Sequence, residues 1–342
     1  MTASDPLLGT DSAPARRRRR RWPWVIVFVL VGVLIVGAAT AGIYLWRLAA
    51  SYEESETLPV AEVFPTVRPS AVNPEAVNIL LLGSDSRSGL DGDLDDIRGQ
   101  RADTMLLVHL PADRSGVQVI SFMRDNWVEV PGKGEHKLNA ALAVGGVPLL
   151  VQTLESIVDV PIDHVMITDF EGFKGLTDAL DGVSANNAVA FQSSGYTFEK
   201  GVIDLRGEQA LAFVRARKPF SDGDYQRVRN QQAFIKGVLD KMLSRETLTD
   251  PGRVAASVDA ISPYLTVDAG LDAATVGGLA LSLRDVKRDD VMFLTSPTLG
   301  TGTSSDGQSI VLPDWEGLAA LSDALKNDTV PEYVAAHPPA QR

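Results

Sequence analysis

The sequence predicts an α/β fold, with a layered α-β-α domain around a central mixed sheet and one N-terminal transmembrane helix before it. Two patterns lead to this prediction. From Ala76 onward, short apolar runs rich in β-branched residues are interleaved with longer amphipathic stretches, which is typical of helices packed on a sheet. Ahead of them, an apolar run without charges follows six consecutive arginines. The chain of 342 residues is 45% hydrophobic, which is enough for one large domain or two ordinary ones.

Residues 25–46 are predicted to form the transmembrane helix. These 22 residues carry no charge, and at about 1.5 Å per residue they span the roughly 30 Å hydrocarbon core of a bilayer. Arg16–Arg21 lie just before them, so the positive-inside rule makes residues 1–24 a cytoplasmic basic tail and places the rest of the chain outside the cell membrane. A cleaved signal peptide is the alternative, but its apolar core is usually only about 7 to 15 residues long.

The composition excludes several classes of function. The absence of cysteine rules out thiol nucleophiles, disulfides and iron–sulfur clusters. The four histidines include no pair with the HExxH spacing of zinc hydrolases. Residues 1–47 carry seven arginines and two aspartates, a net charge of +5, so the remaining 25 basic and 42 acidic residues have a net charge of -17. Nucleic acid is therefore not an expected partner.

Beyond the membrane segment, residues 47–75 are predicted to be a linker, residues 76–330 a single domain and residues 331–342 a disordered tail. The linker is acidic, contains proline and shows no sustained apolar period. The predicted strands are 77–85, 104–110, 117–122 and 164–170. The predicted helices are 147–158, 170–180, 207–214, 224–243, 273–286 and 314–327.

Cations are concentrated in one stretch of the otherwise acidic chain, FVRARKPFSDGDYQRVRNQQ. Arg215 and Arg217 project the same way if their segment is extended. Asp224 is predicted to cap the following helix, with Arg227 and Gln231 on the same stripe. A solvated helix face would mix acids and bases along its whole length, whereas these groups gather at a helix N-terminus, which favours anions. We therefore expect an anion site whose arginines bind phosphate oxygens.

A second polar cluster follows the first predicted strand. Asp85 ends that strand, and Arg101 and Asp103 open the next one after an acidic loop. Loops at strand ends are the usual ligand sites of α/β sheets, and two carboxylates there could hold Mg²⁺. A solvated acidic loop is the alternative. Arg124 lies just past the third predicted strand, 117–122, and Lys137 lies further along the chain, at the start of KLNAAL.

Seven motifs occur in one order between residues 77 and 242: NILLLGSDSR, RADTM, SFMRD, KLNAAL, DFEGF, LRGEQALAFVRAR and DGDYQRVRNQQ. With these motifs the chain resembles the LytR-CpsA-Psr (LCP) family. The resemblance implies a membrane-anchored phosphotransferase that moves a glycopolymer from a polyprenyl diphosphate carrier to a peptidoglycan acceptor. Such chemistry depends on positioned cations and metal rather than on a covalent nucleophile, in agreement with the lack of cysteine.

The resemblance also implies roles for individual residues. The magnesium-binding carboxylates of the family are matched by Asp85 and Asp103. Its diphosphate-contacting arginines are matched by Arg101, Arg124, Arg215, Arg217 and Arg227. Further polar residues of the pocket are matched by Lys137, Asp224 and Gln231. Asp224 is either the general base or an orienting group for the arginines, and the orienting role is favoured.

The sequence departs from the family pattern at two places. Asn230 stands where many members have arginine, and the loop between Asp85 and Arg101 is longer than usual.

Two other functions stay open. The alternatives are a polyprenyl diphosphate-glycan hydrolase, with water as the attacking group, and a non-catalytic lipid-binding regulator of cell envelope assembly. Product analysis with and without a peptidoglycan acceptor separates the three functions.

Overall fold

The computed structural model describes residues 40, 42–84, 102–242, 244 and 250–338. The chain divides into two units, Met1–Arg47 and Leu48–Arg342. In the first unit the described residues are helical, and most of the predicted transmembrane segment, residues 25–46, lies outside them. Within the described part, one helix is long and apolar enough to cross a bilayer, Leu138–Val158. In its most apolar stretch of 18 residues, 61% of the residues are buried. We therefore interpret this helix as a core helix.

Apart from the helical residues 48–52, the described part of the second unit contains fifteen strands and nine α-helices. The strands are β1 (Glu56–Leu58), β2 (Val77–Ser84), β3 (Ala102–Leu110), β4 (Val117–Ser121), β5 (Trp127–Val130), β6 (Gly134–Lys137), β7 (His164–Thr168), β8 (Val183–Asn187), β9 (Phe191–Ser193), β10 (Tyr196–Phe198), β11 (Gly201–Leu205), β12 (Leu265–Asp268), β13 (Val291–Thr295), β14 (Thr298–Thr303) and β15 (Ser309–Pro313). The helices are α1 (Val60–Val63), α2 (Leu138–Val158), α3 (Phe170–Ala179), α4 (Gly207–Arg215), α5 (Asp224–Met242), α6 (Pro251–Ile261), α7 (Ala273–Ser282), α8 (Trp315–Lys326) and α9 (Val330–Ala336).

Seven of the strands form one sheet in the order β1-β12-β7-β2-β3-β4-β13. β2 pairs in parallel with β7 and antiparallel with β3, so the sheet is mixed, as the sequence predicts. The four strands predicted from the sequence make up its centre. The other three, β1, β12 and β13, are not predicted. β1 and β12 have only three and four residues, whereas β13 is as long as the predicted strands β4 and β7.

Helices cover both faces of this sheet, which confirms the layered arrangement. On one face, Leu80, Leu107 and Ile120 pack in the main core with apolar side chains of α2 and α8. On the other face, α5 lies over β3 and β4, while α6 and α7 pack against β12. Helix α2 is interrupted at Gly146, whose φ of 69° is unfavourable for residues with a Cβ.

Two segments outside the predicted domain limits contribute packed structure. Residues 47–75 contain β1 and α1, whose Leu58 and Val63 are buried in the main core. Residues 331–342 include most of α9, which is held because Val330 is buried and Tyr333 packs against the same core. These apolar side chains are isolated in sequence, so local composition predicts a linker and a disordered tail where tertiary burial stabilises regular structure.

Candidate active site

The candidate site forms where neighbouring strands of the central sheet begin and end. β3 and β4 are antiparallel, with Leu106 opposite Ser121. The start of β3 and the end of β4 therefore lie at the same end of the two strands, which brings Asp103 beside Arg124. Arg124 Nη1 donates a hydrogen bond to Asp103 Oδ1. Charge-assisted bonds of this kind are stronger than neutral ones, so the pair fixes both side chains at this end of the strands.

Helix α5 carries the second half of the site. Asp224 is its first residue, and Arg227 lies one turn later on the same side. Further along, Gln231 Nε2 donates to Thr104 Oγ1 on β3 at 2.9 Å, and Gln232 bonds to β4 in the same way. These bonds hold the helix across the strands, so the predicted stripe of Asp224, Arg227 and Gln231 faces the sheet.

Three arginines converge on the carboxylate of Asp224. Its Oδ1 lies 2.8 Å from Arg227 Nη2 and 3.7 Å from Arg124 Nε. The third arginine, Arg217, approaches the same oxygen with Nη1 at 3.9 Å. Arg227 Nη1 also lies 4.0 Å from Asp103 Oδ1. With the neighbouring pair of Asp125 and Lys137 included, four cations face three carboxylates. The excess of one positive charge suits a bound anion.

Burial shifts the titration of this cluster. The side chains of Arg227 and Asp224 are only 5% and 11% exposed. Burial raises the pKa of Asp224 above its ordinary value, although the charges of Arg227 and Arg124 oppose the shift. Burial also lowers the pKa of Arg227. For Arg124, burial acts downward, but three neighbouring aspartates outweigh it and raise the pKa.

Two guanidinium nitrogens of the cluster have unused hydrogen-bonding capacity. The Nε atoms of Arg124 and Arg227 are buried and have no hydrogen-bond partner within the described structure, and the same holds for the acceptor atom Asp224 Oδ1. An unsatisfied buried donor costs about 1–3 kcal/mol, and more when it is charged. Such a cost is common at sites where a ligand supplies the missing acceptor. The two nitrogens therefore indicate a place for anionic oxygens.

A cavity of about 830 Å³, called the larger cavity below, opens on one side of the cluster. Asp103 and Arg227 line it, together with Arg215 from the end of α4. A second cavity of about 550 Å³, the smaller cavity, is lined by Asp224 and by Lys137. Arg124 and Arg217 belong to the walls of both. The arginine cluster thus lies where two cavities meet.

Arg215 and Arg217 reach the larger cavity from a backbone that differs from the predicted one. Arg215 is the last residue of α4, so the segment is not extended throughout. The chain turns to an extended conformation only at Ala216, with φ of -60° and ψ of 124°. The Arg215 guanidinium lies 4.2 Å from the centre of the Phe170 ring, a cation–π contact that orients it.

The other predicted site residues do not contact the carboxylate of Asp224 in the described structure. Lys137 contacts the cluster through Asp125, with Nζ 3.3 Å from Asp125 Oδ1. Gln231 is buried and acts in the structure through its bond to β3. Asp85 and Arg101 lie outside the described residues.

Sequence reasoning missed Asp125 and one wall of the smaller cavity. Asp125 Oδ2 lies 3.7 Å from Arg124 Nε, so this carboxylate bridges Arg124 and Lys137. The missed wall is the β14–β15 hairpin, which contributes Thr301 and Gln308. A hydrogen bond from Val311 N to Asp125 O at 2.8 Å attaches the hairpin. The SFMRD motif contains Asp125, whereas no local signal marks the hairpin.

Asn230 is a buried packing residue. Its side chain accepts a hydrogen bond from Gln226 at 2.9 Å and donates one to Phe213 O at 3.3 Å. Arg229 points elsewhere, since it pairs with Asp222 and Gln226. Arg229 therefore does not take over a role in the arginine cluster.

The described residues contain no group of three or more histidine or acidic side chains that could hold a metal ion. Asp103 is nevertheless a suitable single ligand, because it lines the larger cavity among the arginines. β2 ends at Ser84, which pairs with Ala102, the residue before Asp103. Mg²⁺ commonly uses one or two carboxylates together with phosphate oxygens. The donor set thus fits Mg²⁺ only in combination with an anionic ligand.

Residues 48–327 match the model of the LytR_cpsA_psr family. The polyisoprenyl-teichoic acid–peptidoglycan teichoic acid transferase TagU of Bacillus cereus (strain AH820) is 36% identical over 250 residues, which cover 71% of this chain and 79% of the relative. The protein of the same name from Enterococcus faecalis (strain ATCC 700802 / V583) is 31% identical over 304 residues, which cover 87% of this chain and 94% of that protein.

Solved structures share the fold at lower identity. Bacillus subtilis TagV superposes with a TM-score of 0.63 at 22% identity, over 75% of this chain and 97% of that one. The LytR-Csp2A-Psr enzyme from Actinomyces oris gives a TM-score of 0.61 at 21% identity, over 79% of this chain and 96% of that one. These matches agree with the mixed sheet and flanking helices described above.

Proposed function

Because the chain belongs to the LytR_cpsA_psr family, we propose that it is a membrane-anchored extracellular phosphotransferase. In the proposed reaction, a glycopolymer moves from a polyprenyl diphosphate carrier to peptidoglycan and becomes attached by a phosphodiester link. The family includes the B. cereus and E. faecalis proteins named polyisoprenyl-teichoic acid–peptidoglycan teichoic acid transferases. Their names support both the donor class and the acceptor.

The observation that carries the proposal is the convergence of three arginines where two cavities meet. Arg124, Arg217 and Arg227 surround the carboxylate of Asp224. Guanidinium forks bind phosphate oxygens bidentately, and the buried Nε atoms of two of these arginines have no protein acceptor within the described structure. A diphosphate would supply those acceptors. The same groups would stabilise the charge that develops as the phosphoryl group is transferred.

Asp224 and Asp103 hold the arginines in place before the substrate binds. Each carboxylate contacts two or more guanidinium groups, so the forks do not need to reorganise when the diphosphate arrives. Such preorganisation is a main source of catalytic rate enhancement in phosphoryl transfer.

Mg²⁺ is part of the proposal as the cofactor. Asp103, and from the sequence Asp85, would hold it together with the diphosphate oxygens. When bound, the ion supplies neutralisation of phosphate charge. Asp103 would then exchange part of its interaction with Arg124 for the metal, which leaves Arg124 free to bind the substrate.

Membrane anchoring completes the proposal. The arginines before residues 25–46 favour a cytoplasmic N-terminus, and the catalytic domain would then lie outside the cell, where peptidoglycan is assembled. A single membrane span also keeps the enzyme near a lipid-linked donor, which diffuses in the same bilayer.

Product analysis tests the proposal. The full-length protein is incubated with a polyprenyl diphosphate-linked saccharide, with and without a peptidoglycan fragment. We expect an adduct in which the glycan is joined through phosphate to the peptidoglycan sugar. Free glycan phosphate in both reactions would indicate a hydrolase, and the absence of turnover would indicate a lipid-binding regulator.

A further inference from the structure

The two cavities that meet at the arginine cluster differ in charge. The larger cavity is lined by five cationic side chains and two carboxylates. The smaller cavity is lined by three lysine or arginine side chains and three carboxylates, apart from His136. An excess of three positive charges suits a diphosphate. A balanced set of charges suits a ligand with no strong charge of its own at the bound portion.

The uncharged part of each lining is mixed in polarity. In the larger cavity Leu211, Ala212 and Pro219 are compatible with the start of an isoprenoid chain, and the polar residues are Gln192, Ser193, Ser194 and Tyr196. In the smaller cavity, hydroxyl and amide groups come from Asn139, Ser221, Thr301, Gln308 and Ser309, beside the apolar Ala140, Ala143, Ile310 and Val311. Side chains of these types exchange hydrogen bonds with saccharide hydroxyl groups, because each can donate and accept.

We infer that the smaller cavity is the binding site for the acceptor saccharide, and that the larger cavity holds the diphosphate and the first part of its lipid. This inference rests on the proposed function. Phosphoryl transfer places the attacking and leaving oxygens roughly in line. Arg124 and Arg217 line both cavities, so a phosphoryl group bound by these two arginines is accessible to an attacking group from one cavity and to a leaving group from the other.

The position of Asp224 agrees with this assignment. Asp224 lines the smaller cavity, whereas the candidate metal ligand Asp103 lines the larger one. In the transfer step the acceptor hydroxyl oxygen forms a bond to the glycan-bearing phosphorus, and the bond from that phosphorus to the bridging oxygen breaks. The bridging oxygen leaves as part of polyprenyl phosphate. The hydroxyl proton passes to the Asp224 carboxylate, whose pKa is raised by burial.

A steric block of the smaller cavity tests the inference. Ala143 on helix α2 lines this cavity, so Ala143→Phe would fill part of it without removing a polar group. Its neighbour Val144 is 51% exposed and lies outside both cavity linings, so Val144→Phe is the matched control. The assay uses a short-chain polyprenyl diphosphate disaccharide as donor and a disaccharide-peptide fragment of peptidoglycan as acceptor.

We expect Ala143→Phe to lower kcat/KM for the acceptor by about 10², as expected when a reactant is displaced from its reacting position. Donor affinity should stay within about twofold of the unmodified protein, as should slow donor hydrolysis without acceptor. Val144→Phe should match the unmodified protein in all three measurements. Loss of donor affinity in Ala143→Phe would overturn the inference, because the smaller cavity would then hold the donor.

A second variant covers the case in which Ala143→Phe does not fold, which thermal unfolding would show. Gln308→Ala removes an exposed amide from the smaller cavity, and Ser305→Ala alters an exposed residue of the same hairpin outside the cavity lining. We expect Gln308→Ala alone to raise KM for the acceptor, by about threefold to tenfold for one lost hydrogen bond. Normal acceptor KM in Gln308→Ala and normal transfer in a folded Ala143→Phe would overturn the inference. If the unmodified protein formed no adduct, the proposed function itself would fail.

Discussion

Arg217 offers the cleanest test of the arginine cluster because its side chain is 46% exposed. Replacing it by alanine should change the free energy of unfolding by no more than about 0.5 kcal/mol, as is usual for exposed ion pairs. Its guanidinium nevertheless lines both cavities and lies 3.9 Å from Asp224. Removing one preorganised donor from a phosphoryl-transfer site commonly lowers turnover by about 10² to 10³. Arg217→Ala should therefore lose activity while keeping its stability.

The assay is initial-rate transfer of a lipid-linked saccharide to a peptidoglycan fragment, combined with chemical denaturation. Arg284→Ala is the matched control, because Arg284 is 64% exposed, pairs with Asp285 and lines neither cavity. Arg217→Lys should rescue little activity, since an ammonium keeps the charge but cannot reproduce the planar fork. The losses of Arg215→Ala and Arg217→Ala should be less than multiplicative when combined, because in the proposed complex both residues would contact one ligand. Near-normal transfer by this double variant would refute the proposal that these arginines bind the diphosphate.

Three further predictions concern the pH profile, the metal and the topology. Because burial raises the pKa of Asp224, its charge is lost at a higher pH than for an ordinary aspartate. Transfer should therefore decline on acidification with an apparent pKa above 3.8. Asp224→Asn should remove this acidic decline from the pH profile of the residual activity. Asp103→Ala should abolish Mg²⁺-dependent transfer without unfolding the domain, whereas equal activity in excess EDTA would exclude a metal role. Protease added to intact protoplasts should degrade the chain beyond Arg47 and spare the N-terminus; a protected C-terminal epitope would contradict the topology.

The centre of the fold can be predicted from sequence because its strands have strong local patterns. β2 and β3 have eight and nine residues with the apolar centres ILLL and MLLV, and α5 has a clear amphipathic stripe. β1 has three residues, and the pattern of so short a segment is not distinctive. The first two turns of α2 were missed because Gly145 and Gly146 resemble a loop; Gly146 does interrupt the helix, but the chain is helical on both sides.

The same limit applies to the candidate site. Asp224 and Arg227 could be predicted together because they lie on one stripe of the same helix, whereas Arg124 joined them only through the resemblance to the family. Gln308 is not part of any such motif, and it reaches the smaller cavity only because the β14–β15 hairpin bonds to Asp125, more than 180 residues earlier in the chain. Contacts between distant segments depend on the tertiary fold, which local spacing does not encode.

Isotope labelling of the product tests phosphoryl transfer to peptidoglycan most directly. The full-length protein is incubated with the lipid-linked saccharide and the peptidoglycan fragment in water enriched in ¹⁸O, and the products are examined by mass spectrometry. A transferase yields a glycan–phosphate–peptidoglycan adduct without ¹⁸O in its phosphate, because the attacking oxygen comes from the acceptor sugar. Free glycan phosphate that carries one ¹⁸O, with no adduct, would show that water is the attacking group and would contradict the proposed function.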